Sequence, residues 1–328
     1  MTGPGADVVK EERAFALTVG PVLGYWSRRA LHDFYADVAD SCVETVVIGE
    51  VVCARRREMK LDDWLALGAE LRSAGKEVVL GTQVLIESES DLRLLRRQAG
   101  QREFLVEAGD ASALNVLAGA GVPFVLGPHI NIYSAAALRE HRRLGAVRWV
   151  APAELPLASL SRINPPAPDD GVAAHLPDDG ACSPVATEVL AFGRLPLAFS
   201  ARCFTARHHK LSKDSCDFRC ADDADGLLLS TTDGTPFLAL NGIQTLSAAR
   251  HCLIGERAAL QAAGVTRLRL SPSAAGFAEV LALFDAVMNH DAPADMARRR
   301  LEAMAWPGGL ANGYAGGGAG LQWTGASA

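Results

Sequence analysis

Residues 77–127 read EVVLGTQVLIESESDLRLLRRQAGQREFLVEAGDASALNVLAGAGVPFVLG, and the fold is decided there. The Val- and Leu-rich run Glu77–Leu85 predicts a strand, and Glu89–Ala99 carries apolar residues at helical spacing. A strand at Arg102–Glu107, a helix at Ala111–Gly119 and a strand at Pro123–Gly127 continue the alternation. These strands lack the in-out alternation of a sheet wetted on one side. They read as buried on both faces, as in a parallel sheet, with the helices as crossovers.

The same pattern extends both ways. Upstream lie strands at Ala16–Leu23 and Glu44–Glu50, with helices near Arg28–Asp40 and Leu61–Ala74. Downstream come a helix near Ser134–Leu144 and strands at Ala146–Ala151 and Val185–Ala191. A helix near Ala249–Ala263, a strand at Thr266–Leu270 and a last helix near Ala275–Met288 complete the series. Gly75, Gly121 and Gly145 stand where helix C-caps belong. Eight βα units predict an α/β fold, a TIM-like (β/α)8 barrel. An open doubly wound sheet is the other arrangement, but no G-x-G-x-x-G follows a strand.

The pattern breaks in three places. Residues 164–184 (NPPAPDDGVAAHLPDDGACSP) are rich in Pro, Asp and Gly and read as an irregular loop. Residues 203–223 carry cysteines, and a hairpin is predicted from Leu227–Ser230 and Pro236–Leu240. The expected organisation is a flexible N-terminal extension over residues 1–16 and a barrel domain over 17–290. The barrel domain includes an insertion at about 203–247, after the seventh strand. Residues 291–328, rich in Gly and Ala, are expected as a loose C-terminal tail.

Of the 328 residues, 49% are hydrophobic and 21% charged, and the formal net charge is −6. No basic block is large enough to track phosphates, which argues against a dedicated nucleic-acid binder. No stretch of about 18 apolar residues runs without a charge, and the polar N-terminus is unlike a secretory signal. The expected location is the cytoplasm, where seven cysteines are an improbable disulfide framework.

Cys203, Cys216 and Cys220 cluster with the spacing C-x(12)-C-x(3)-C. On a helical turn Cys216 and Cys220 would share a face. Cys53 follows the second strand, so in a barrel its loop opens on the same C-terminal face as the loop carrying Cys203. Three readings stay open on spacing alone: buried cysteines acting as small hydrophobes, a zinc site completed by His208 and His209, or an iron–sulfur cluster. Cys42 and Cys252 read as packed residues, and Cys182, in the irregular loop, is a reserve fourth ligand. Arg55, Arg56 and Arg57 adjoin Cys53. They could hold an anion or steady a negative cluster, although a solvated loop face is the commoner role. Glu50, Glu87, Glu107, Glu154 and Glu188 sit near predicted strand ends and would ring the active face, with His129 and Asn131 in reach of it. None is assigned a catalytic role. No H-E-x-x-H or G-x-S-x-G motif points to hydrolysis.

The segment Glu188–Cys203 (EVLAFGRLPLAFSARC) resembles the signature of the collagenase-like peptidase family. Cys203 matches the final cysteine of that signature and Ser200 its serine, while Pro196 stands where the signature has an earlier cysteine. The same departure marks the family's subgroup for oxygen-independent ubiquinone biosynthesis. Gly20–Trp26 (GPVLGYW), Gly49–Arg56 (GEVVCARR), Phe199–Arg207 (FSARCFTAR), Leu240–Thr245 (LNGIQT) and Arg269–Pro272 (RLSP) resemble it too, with a weaker echo at Asn312–Tyr314. The resemblance implies a [4Fe–4S] cluster on Cys53, Cys203, Cys216 and Cys220. It implies an iron–sulfur subunit of a ring hydroxylase, paired as a heterodimer with a UbiU-like paralogue and assisted by a UbiT-like lipid-binding protein. The implied substrate is a prenylated quinone precursor, with prephenate as oxygen donor. Other members of the family act in RNA hydroxylation or carry the peptidase name.

Overall fold

The computed structural model describes residues 13–166 and 185–325. Most of the expected N-terminal extension and most of the 164–184 loop, including Cys182, lie outside the described residues.

The strands are β1 (Ala16–Val19), β2 (Thr45–Ile48), β3 (Glu77–Gly81), β4 (Leu105–Ala108), β5 (Phe124–Leu126), β6 (Ala146–Val150), β7 (Ala186–Phe199), β8 (Leu227–Ser230), β9 (Pro236–Asn241), β10 (Gln244–Cys252), β11 (Arg267–Leu270) and β12 (Leu310–Ala311). The helices are α1 (Arg28–Ala39), α2 (Leu61–Ser73), α3 (Glu89–Gly100), α4 (Ala111–Ala120), α5 (Ala135–Arg143), α6 (Leu157–Ile163), α7 (Phe204–His208), α8 (Arg257–Ala262), α9 (Phe277–Asn289) and α10 (Ala294–Ala303). Strands β1 to β7 pair in parallel in chain order, and β11 pairs in parallel with both β7 and β1. That closes an eight-stranded barrel, the TIM-like fold expected from the strand runs.

Helices α1, α3, α4 and α5 start where the sequence offers a side-chain oxygen. Ser88 accepts from the Asp91 N–H at 3.2 Å, and the Asp91 carboxylate accepts from the Ser88 N–H at 3.0 Å, a reciprocal cap on α3. Asp110 and Ser134 cap α4 and α5 in the same way. The large core lies between strands and helices and includes Trp149, Tyr35, Phe124 and Phe284.

The barrel interior is of two kinds. Val47, Val79, Val125 and Val150 form an apolar layer. Beside it lies a buried ionic network. Arg269 donates through Nη1 to Glu107 Oε1 at 2.9 Å and through Nη2 to Oε2 at 2.5 Å, and through Nε to Glu188 Oε1 at 2.7 Å. Arg148 donates to both Glu77 oxygens at 2.8 Å, and Arg267 reaches Glu77 at 3.3 Å. Burial alone would lower the Arg269 pKa; Glu107 and Glu188 outweigh it and hold the guanidinium above its ordinary value.

Four expectations are corrected. The seventh strand runs to Phe199 rather than ending at Ala191, because Gly193, at φ +125°, bends it out of the barrel against Ser271. A Cβ there would lie 2.4 Å from Ser271 Cβ. The helix expected at Ala249–Ala263 is strand through Cys252 and helix only from Arg257 to Ala262. The long β7 supplies an antiparallel partner for β10, with Cys252 opposite Phe192, and that pairing overrides local helical preference. The predicted hairpin is therefore a three-stranded meander, β8–β9–β10. Finally, α6 fills a stretch where no helix was expected.

The C-terminal segment is tied down more firmly than a loose tail. Strand β12 pairs with β10, and buried Asn312 donates to Glu256 at 3.1 Å and to the Thr324 carbonyl at 2.9 Å. At the other end, Phe15 is fully buried and donates its N–H to Asn289 at 3.0 Å.

Candidate functional site

Cys53, Cys203, Cys216 and Cys220 line one small pocket, together with Arg55, Arg56, Lys213, Phe218, Arg219 and Gly242. Cys53 sits in the loop after β2. Glu50 Oε1 accepts from the N–H groups of Val52 at 2.9 Å and Cys53 at 3.0 Å and fixes that loop's turn. Cys203 caps α7, and its Sγ accepts from the Ala206 N–H at 3.4 Å. The Phe204 N–H donates to the Gly242 carbonyl at 2.9 Å, which seats α7 on the β9–β10 turn.

Cys216 and Cys220 do not share one helical turn, contrary to expectation. They belong to two separate 3-10 turns, Lys213–Ser215 and Arg219–Ala221, or their immediate ends. Asp217 and Phe218 between them have φ of +48° and +52°. Left-handed backbone at two successive non-glycine residues is costly and is found where a site over-determines it. The bend turns both thiols into the pocket.

The pocket is partly buried, with the Arg56 guanidinium packed beneath it. Burial raises the Cys53 thiol pKa, opposed by an Arg55 backbone hydrogen bond and by the Arg56 charge. Burial also raises Cys220, with Arg56 opposing and the Cys203 and Cys53 thiols adding to the rise. Four thiols, no competing histidine in the lining and a buried guanidinium suit a soft, anionic metal–sulfur group, so the residues present fit an iron–sulfur cluster. Among the described residues, no group of three or more His, Cys, Asp or Glu is gathered closely enough for a single metal ion. His208 and His209 meet edge to face, ring centroids 5.0 Å apart, outside that lining. Cys42 is half-buried and Cys252 fully buried, as packed residues should be.

A second cavity, about 630 Å³, opens at the C-terminal mouth of the barrel. Leu23, Val51, Leu85 and Phe199 line it and belong to the apolar cluster that packs Cys53 and Cys203. Cys53 and Cys203 therefore pack against side chains that also face this cavity. Glu107, Glu154, His129 and Asn131 line the cavity, as expected of barrel strand ends. The other carboxylates do not complete a ring. Glu188 is held inside the barrel by Arg269, Glu87 is bound by Lys213, and Glu50 serves its own loop. A larger groove, about 1280 Å³, lies between α1 and α9 and is lined by none of Cys53, Cys203, Cys216 and Cys220.

His129 packs edge-on to Phe199 at 4.7 Å, and its pKa is lowered to about 4 by burial and by Arg269, with Glu154 opposing. Buried His251 is likewise lowered to about 4 by burial, with a Leu190 backbone contact opposing. Both folded pKa values lie below the unfolded value near 6.5. Their contribution to stability is therefore present above pH about 6.5 and is lost as pH falls through about 4. The expected result is an unfolding midpoint that drops across that window, with both imidazole signals titrating near its lower end by NMR. His129 or His251 titrating near 6.5 would contradict it.

Nothing in the local sequence assigns a role to Arg194, Arg250 or Arg269, although Arg269 opens the RLSP motif. Arg269 had a signal, a charge inside the apolar strand RLRL of β11, whose ordinary reading is an outward-facing residue. Arg250 is buried over the Trp306 ring, 4.5 Å from its centroid, and its pKa falls to about 10 through burial and nearby Arg194.

Residues 27–319 match the family described as Peptidase family U32. Among solved structures, the chain is similar to a type I 3-dehydroquinate dehydratase from Clostridium difficile. Identity is 12%, covering 55% of this chain and 77% of that one, with a TM-score of 0.35. It is also similar to a glycoside hydrolase family 18 N-acetylglucosaminidase from Paenibacillus barengoltzii. Identity is again 12%, covering 82% of this chain and 98% of that one, with a TM-score of 0.37. Likeness at this level carries no argument about chemistry. No described helix is long and apolar enough to cross a membrane.

Proposed function

Because the chain belongs to peptidase family U32, we propose that it acts as a UbiV-type iron–sulfur subunit of an oxygen-independent hydroxylase in ubiquinone biosynthesis. One observation carries the reading: thiols from the loop after β2 and from three places in the insertion after β7 converge on one pocket beside the barrel mouth. Cys53, Cys203, Cys216 and Cys220 would hold a [4Fe–4S] cluster, which when bound supplies one-electron redox chemistry. The chain's own residues do the rest. Arg56 and Glu50 shape the Cys53 loop, and Leu23, Val51, Leu85 and Phe199 pack Cys53 and Cys203 against the mouth.

The mouth cavity is the place for the organic substrate, a prenylated quinone precursor, with prephenate as oxygen donor. Its apolar side, including Leu195, Leu197 and Phe199, suits a ring, and its polar side offers Asn131 and neutral His129. The working unit is a heterodimer with a UbiU-like paralogue, supplied with lipid substrate by a UbiT-like protein. Deleting the gene is expected to abolish ubiquinone made without oxygen and to leave aerobic synthesis intact. Normal anaerobic ubiquinone in the deletant would end this reading.

A further inference from the structure

Among the described residues, Arg56 is the one fully buried cation against the thiol pocket. Its side chain is 1% exposed. Its backbone N–H donates to the Cys53 carbonyl at 3.0 Å. Nη1 donates to the Leu23 carbonyl at 3.1 Å, and Nη2 to the Asn241 carbonyl at 3.3 Å and to Asn241 Oδ1. The guanidinium lies over the Tyr25 ring, 5.3 Å from its centroid, and 3.6 Å from Glu50. Asn241 in turn donates to the Cys220 carbonyl at 2.9 Å. One planar group is therefore fixed relative to two of the four cysteines at once.

The backbone makes room for it. Gly242 has φ +70°, and a Cβ there would lie 2.7 Å from Arg56 Nη2. Its Nε is buried with no hydrogen-bond partner in the protein, a donor left unmet in a fork that is otherwise satisfied. The other three cations of the pocket each have a carboxylate partner. Arg55 pairs with Asp214 at 2.9 Å, Lys213 with Glu87 and Arg219 with Asp222 at 2.8 Å, all where water screens them. Arg56 is not screened, so its charge acts at low dielectric.

We propose that Arg56 is a positioning residue whose fixed charge sets the reduction potential of the group held by the four cysteines. The inference rests on the iron–sulfur reading above. Reduction adds one electron to a group already made negative by its thiolates, and no proton or bond need move. A nearby cation stabilises the more negative state and so favours reduction; Glu50 offsets part of that.

The test uses the full chain purified without oxygen, with iron and acid-labile sulfide measured first, then a dithionite titration followed by electron paramagnetic resonance. Arg56→Met and Arg56→Gln remove the charge, the second keeping a donor for the Leu23 carbonyl, and Arg56→Lys keeps the charge. With cluster content matching wild type, Met and Gln variants are expected to shift the oxidised-to-reduced ratio at fixed potential at least tenfold toward oxidised. For a one-electron couple that is about 59 mV lower. Arg56→Lys is expected to stay near wild type. An unshifted potential in the Met and Gln variants, or an equal fall in Arg56→Lys, overturns the proposal. So does loss of iron from both Met and Gln variants with Lys intact, which would make Arg56 a strut. A wild type without iron and sulfide ends the functional reading as well, whereas a loaded wild type with unshifted variants ends only this inference.

Discussion

Purified under strict exclusion of oxygen, the wild-type protein is expected to carry about four irons and about four acid-labile sulfides per chain, and Cys216→Ser to carry neither. Cys216 is the variant of choice because its role is easiest to separate from packing. It is half-buried, while Cys220 is buried and Cys203 caps α7. A serine at position 216 removes a soft ligand without opening a cavity in the core. The far-ultraviolet circular dichroism and the barrel's stability should therefore change little while the metal is lost. Zinc near one per chain, with no sulfide, in the wild type would leave the barrel standing and replace the redox reading with a structural metal. Full iron in Cys216→Ser would remove Cys216 from the ligand set.

The second large effect is on stability. Arg269→Met is expected to cost about 3–5 kcal/mol, because it strands carboxylates that share one buried cation. Glu107 loses a bidentate partner and Glu188 a hydrogen bond at 2.7 Å, and Glu188 is fully buried. The measurement is chemical denaturation of the metal-free protein, so that metal content does not enter. Adding Glu107→Gln and Glu188→Gln should recover part of the loss, since neutral amides need no counter-ion. A cost below about 1 kcal/mol would mean that the network behaves like an exposed ion pair. The effect should leave iron content per folded chain unaltered, because Arg269 points into the barrel and not toward the thiols.

How much of this could be read in advance differs by element. The barrel was legible because most of its strands, such as Thr45-Val-Val-Ile and Phe124-Val-Leu, are short apolar runs set between helices. Cys203 stood out through the family signature, and Cys53 through its place after the second strand. What failed did so for tertiary reasons. Residues 249–252 have no local mark that separates a strand from the start of a helix; only the length of β7 decides it. Likewise C-x(3)-C suggests a helical turn, and nothing in Asp217-Phe-Arg announces left-handed backbone at two non-glycine positions. The inward charges were hidden for another reason: an arginine in a strand usually points out, and pairing inside a barrel needs partners from strands far apart in sequence, here β4, β7 and β11.

The placement of the four thiols has a consequence for how the chain holds together. Cys53 and Cys203 are 150 residues apart, by subtraction of their numbers. In an unfolded chain, any bridge between them must close that loop at an entropic cost of about 4 kcal/mol, from (3/2)RT ln n. Here barrel closure has already brought the two ends together, so a bridging group bears none of that cost. On the iron–sulfur reading proposed above, the protein would be a chelator organised before it binds. Stripping the group should then loosen only the stretch around residues 203–226 and leave amide-exchange protection in the barrel strands intact, unlike a small zinc finger that melts when its metal is removed.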